Sequence, residues 1–146
     1  MTHRMPTTHP TILERSVEKT NVWLKDLCAE LESDDRQYAY HVLRGFLHAL
    51  RDRIPVDESA QLAAQLPMLI RGLYYEGWVP SRTPQTYHDV RSFLDRVAVE
   101  ANLAGETEAS FAASAAARVL RSHVTSGELE DVVSVLPPPV RELFTD

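Results

Sequence analysis

Few side chains in this chain have the type and spacing to do chemistry. His41 and His48 stand seven apart, two turns along one helical face, too far to share a metal without ligands from elsewhere. His88 beside Asp89, and His123 near Glu128, suggest acid–base or metal chemistry, but each reads more simply as a surface or cap residue. Cys28 is the only cysteine, so neither an intramolecular disulfide nor a cysteine-rich zinc site can form. Its place in an apolar stripe makes it a small buried hydrophobe. No H-E-x-x-H, G-x-S-x-G or glycine-rich phosphate loop occurs. These residues weigh against an enzyme and point to no catalytic residue, no cofactor and no metal.

Two other groups of residues invite a binding role. Arg51, Glu58 and Arg71 recur as Arg121, Glu128 and Arg141, which would suit two anion or partner sites. Charges at helix ends have a plainer use, however, as hydrogen-bonding groups that hold each helix joint, together with Pro67 and Pro137. Tyr74, Tyr75 and Trp78, flanked by Arg71 and Arg82, concentrate aromatic area in one stretch. Buried, they would join two parts of a core; exposed, they would be the first candidate for a partner surface.

The elements that position these residues are helices. Residues 1–12 hold two prolines without periodicity and read as an arm. Apolar positions from Ile12 to Leu31 approach helical spacing, with an end expected near Ser33. Between Asp34 and Arg53, Tyr38, Val42, Leu43, Phe46, Leu47 and Leu50 form one wide apolar stripe. Pro55 marks a turn, and Pro67 forces the next helix to restart with the proline in its first turn. Gly77 then offers a left-handed cap onto which Trp78 can fold. Val79 to Pro84 is the only internal stretch resembling a linker. Beyond it, Thr86 with Asp89 suggests a capping box for a helix closed by Gly105. An alanine-rich helix over Thr107–His123 follows, then a capping box of Thr125 with Glu128. A proline-started helix ends near Phe144. No strand pattern competes.

Placing Leu66-Pro67 on Leu136-Pro137 sets an offset of 70 residues, which also pairs Trp23 with Phe93, Leu50-Arg51 with Leu120-Arg121, and Arg71 with Arg141. The agreement with helix boundaries predicts an internally duplicated all-α bundle of two similar halves with pseudo-twofold symmetry. One domain over residues 13–146 would hold repeats at about 13–78 and 84–146. Phe46 and Leu47 face small equivalents, Ala116 and Ala117, so the halves should pack on each other rather than fold alone.

L-R-D-R-I-P, A-Q-L-P-M-L-I-R-G-L-Y-Y-E-G-W and G-E-L-E-D-V-V-S-V-L-P resemble a bacterial family of uncharacterised proteins, the domain-of-unknown-function family numbered 2267. The resemblance covers roughly Val22 to Phe144. It implies an all-α duplicated fold and brings no catalytic residues to carry over. Within the chain, Pro55 stands where the capping Thr125 is expected, so the two third-helix starts cannot be built alike.

With 15 basic and 21 acidic residues, the net charge of −6 favours solubility and disfavours tight phosphate-backbone binding. Nucleic acid is therefore a weak candidate, despite a short turn between helices that resembles helix-turn-helix. Neither a signal-like apolar run nor eighteen consecutive apolar residues occurs, so a cytoplasmic protein outside the membrane is expected. The leading expectation is a noncatalytic module acting through protein contact, as a scaffold or by self-association. The rival is a small-molecule or anion binder, or enzyme, with Arg51, Arg71 and Arg121 turned into a cleft between the halves.

Overall fold

A computed structural model describes residues 10–145. Its regular elements are all helical: α1 Thr11–Leu31, α2 Arg36–Arg53, α3 Val56–Ala64, α4 Met68–Tyr75, a 3-10 turn Pro80–Arg82, α5 Val90–Ala101, α6 Glu106–His123, α7 Ser126–Ser134 and α8 Pro138–Arg141, continued by a 3-10 turn Glu142–Phe144. Among the described residues, no helix is long and apolar enough to cross a membrane.

α2 runs through the centre, and almost every side chain from Val42 to Asp52 is buried. It packs most extensively on α5, while α1 packs on α6. Gly45 makes the first contact possible, because a Cβ there would stand 3.1 Å from the Val97 carbonyl oxygen and 3.2 Å from Glu100 Cβ. Phe46 lies between Phe93 and Phe144, each ring centroid 5.9 Å away. The alanines of α6, from Ala109 to Ala117, form a low surface on which neighbouring helices close. Residues of every helix from α1 to α8 enter one continuous apolar core.

Helix starts and ends mostly follow local chemistry. Asp35 accepts from the Gln37 and Tyr38 amides to cap α2. Pro67 stands just before α4, so the chain restarts there as its missing N–H requires. The backbone N–H of Trp78 donates to the Tyr75 carbonyl and its ring stacks on that of Tyr75, with Gly77 at φ +74° making the reversal.

Three boundaries differ from the sequence expectation. α1 begins at Thr11, so Thr11 and Ile12 belong to the helix; the rest of the expected arm, apart from Pro10, lies outside the described residues. The cap of α5 is Asp89, which accepts from the Ser92 amide at 2.8 Å, and Thr86 stays outside the helix. Asn102, in the left-handed conformation, ends α5, whereas Gly105 stands extended before α6. Asparagine is among the few residues other than glycine that adopt that conformation, so Asn102 can close the helix.

Candidate functional site

The aromatic stretch is divided by burial. Tyr74 is wholly enclosed, and its burial holds the phenol above the ordinary range. Tyr75 and Trp78 are half-buried and stack 5.3 Å apart, while Arg82 is exposed on the linker turn. Arg71 turns back toward the preceding helix end. Its guanidinium donates to the carbonyls of Ala63, Ala64 and Leu66. Arg141 repeats this geometry with the carbonyls of Ser134 and Leu136. Each arginine thus supplies donors to carbonyls that a helix end leaves unpaired.

Arg51 is buried among acceptors. It pairs with Asp52 at 2.8 Å and donates to the Tyr74 and Glu76 carbonyls, at the negative end of α4. Asp52 is also held by Arg96 from α5 at 2.9 Å. Arg121 lies exposed at the end of α6. The guanidiniums of Arg51 and Arg71 therefore serve different carbonyls rather than one shared cleft.

Of the histidines, His48 is the one that the core absorbs. Its Nε2 lies 2.7 Å from the Leu73 carbonyl and its Nδ1 lies 2.9 Å from Glu100. A carbonyl only accepts, so Nε2 is the donor to Leu73, and Nδ1 faces the Glu100 carboxylate. Burial alone would raise the Glu100 carboxyl. The His48 hydrogen bond and the nearby His48, Arg96 and Arg44 charges outweigh burial and hold it below its ordinary value. Its role was illegible in spacing because Glu100 is 52 residues away. His41 and His88 are exposed, and His123 stacks on Trp23 at 4.6 Å while bonding Asp26.

A groove of about 770 Å³ lies between α1 and the α3–α4 joint. Ile12, Val22, Trp23 and Met68 supply apolar lining, with Ile12, Val22 and Met68 exposed. Arg15, Lys19 and Arg71 supply the charge beside the His123 imidazole, and among the described residues no carboxylate lines it. Sequence spacing did not expose this groove, since its walls come from segments some fifty residues apart. What joins them includes a tertiary cap: buried Ser16 on α1 accepts the Leu69 amide of α4 at 3.1 Å.

Glu58 and Glu128 sit in the first turns of α3 and α7, two helices that pack together. They face one another there. Beside them, Gln65 and Thr125 form a reciprocal pair: the Gln65 amide donates to Thr125 Oγ1 at 3.0 Å, and the Thr125 N–H donates back to Gln65 at 2.8 Å.

A family model described as "Uncharacterized conserved protein (DUF2267)" matches residues 20–143. The chain belongs to that family. Comparison with curated proteins gives no match. The DUF2267 match takes in the Arg51, Arg71 and Glu58–Glu128 constellations, while Ile12, Arg15, Ser16 and Lys19 precede it. Part of the groove's basic wall is therefore set by residues outside the span that defines membership.

Proposed function

We propose that this DUF2267 protein is a noncatalytic interaction module, and that its groove between α1 and the α3–α4 joint holds an acidic, amphipathic segment of a partner protein. The observation that carries this reading is charge. In a chain of net charge −6, the groove is lined by the cations Arg15, Lys19 and Arg71 and, among the described residues, by no carboxylate. Exposed Ile12, Val22 and Met68 beside those cations suit a segment with apolar anchors at helical spacing and Asp or Glu between them.

The test is fluorescence anisotropy with a labelled leucine–glutamate amphipathic peptide and its leucine–lysine counterpart. The acidic peptide is expected to bind, to weaken with salt, and to lose about tenfold in affinity, roughly 1.4 kcal/mol, with Lys19→Glu or Met68→Asp. Equal binding of both peptides overturns the reading, as does a dimer in sedimentation that Met68→Asp dissociates, since a second copy would then own the groove.

We further infer that the two halves arose by internal duplication and are related by a pseudo-twofold axis. α2 and α6 begin at 36 and 106, α3 and α7 at 56 and 126, α4 and α8 at 68 and 138, a constant interval of 70 residues. The left-handed caps Glu32 and Asn102 keep that interval, as do the carbonyl-bound Arg71 and Arg141. The pairing of α1 with α6 mirrors that of α5 with α2.

A further inference from the structure

The pair formed by Gln65 and Thr125 leaves a neighbouring group without its expected partner. In a complete capping box the Glu128 carboxylate would accept the Thr125 N–H. Gln65 takes that N–H, and only the other half of the box remains, the Glu128 amide donating to Thr125 Oγ1 at 3.3 Å. Glu128 is 8% exposed, and its Oε2 is sealed from solvent with no donor from the rest of the protein, facing only the Glu58 carboxyl. Glu58 Oε2, on the facing helix, is in the same condition. Buried carboxylate oxygens without a donor are costly and call for a proton or a cation.

Asp131 brings a third carboxylate to the pair. It lies three residues after Glu128 on α7, exposed, and one carboxylate oxygen from each of Glu58, Glu128 and Asp131 lies within 4.8 Å of the others. A shared proton would bridge only two oxygens and would leave the third carboxylate repelling the pair. A divalent cation meets all three. The donors are all carboxylate oxygen, without sulfur or imidazole, which selects a hard ion. Calcium accepts irregular sets of carboxylate oxygens, whereas magnesium demands near-ideal octahedral geometry and gives up its water reluctantly, so three carboxylates on two packed helices favour calcium.

We propose that Glu58, Glu128 and Asp131 bind a calcium-sized divalent cation in the seam between α3 and α7, with water completing the shell on the exposed Asp131 side. The ion clamps the two helices, and with them the two halves of the chain. This site is separate from the groove and stands or falls without it. Burial first, then the hydrogen bond and charge of Glu58, then the charge of Asp131, push the Glu128 carboxyl up to about 8. A cation entering near neutral pH therefore displaces a proton, and affinity rises with pH.

The experiment is calorimetric titration of the full chain with calcium chloride and, separately, magnesium chloride, in two buffers of different ionisation enthalpy. One calcium per chain is expected, with proton release, weaker magnesium binding, and affinity about tenfold higher per pH unit below the Glu128 midpoint. Asp131→Asn, exposed and harmless to packing, should weaken calcium at least tenfold while its circular dichroism stays native. Absence of calcium binding at millimolar concentration overturns the site. So does unchanged binding in both Asp131→Asn and Glu128→Gln, or a Glu128 carboxyl titration in carbon-13 NMR that calcium does not move, which would leave a shared proton only.

Discussion

At the residue scale, the buried charges are the most consequential and the least visible in the sequence. His48 and Glu100 are single polar residues on two separate helices until α2 and α5 close on each other, and then each completes the other. Because Glu100 is held below its ordinary value of 4.5, its ionised form stabilises the fold above that pH. The contribution is lost as pH falls through the depressed value. Glu100→Gln is therefore expected to cost about 1–3 kcal/mol at neutral pH and to flatten the acid limb below pH 4.5. Urea denaturation at neutral and acid pH checks both. An unchanged acid limb would assign the loss of stability in acid to other carboxylates. Cys28 and the Pro67 restart, by contrast, were legible, because burial in a stripe and the missing proline N–H are local properties.

At the element scale, the two versions of the proline-started helix solve one problem differently. Every helix leaves its first amides without partners inside the helix. α4 lends the Leu69 amide to Ser16, which requires α1 to extend down to that level. In α8 the equivalent positions are Pro138 and Pro139, which have no N–H to satisfy, and α5 starts correspondingly late, at Val90. Ser16→Ala is thus expected to destabilise by about 1 kcal/mol and to speed hydrogen exchange in the first turn of α4, whereas a serine introduced near Thr86 should gain nothing. Exchange mass spectrometry on peptides covering Met68–Gly72 reads this directly. Unaltered exchange there would mean that the Ser16 bond contributes nothing. The helices and their proline boundaries could be read in the sequence, since periodicity and turn residues are local. The Ser16 cap and the Gln65–Thr125 pair could not, since each spans more than fifty residues. The Thr86 and Gly105 assignments failed for a related reason. Asp89 and Asn102 were competent rivals, and only the packed chain chose between them.

At the scale of the whole molecule, the helices exchange partners across the midpoint of the chain. α1 lies on α6 and α2 on α5, so neither half keeps its largest contact when alone. A fragment of residues 84–146 would expose the alanine face of α6 and Phe93, which is fully buried in the intact chain. It is expected to melt without a cooperative transition in circular dichroism and to aggregate; a sharp transition would make the halves independent domains. The all-helical class was legible in the periodicity, whereas the partner exchange was not, since it joins helices far apart in the chain. The same exchange brings the imidazole of His123 onto the ring of Trp23, inside the groove. That stack makes Trp23 an optical gauge. Parting the two halves takes the imidazole away from the indole and changes its emission, which lets opening of the groove be timed in solution without any attached dye.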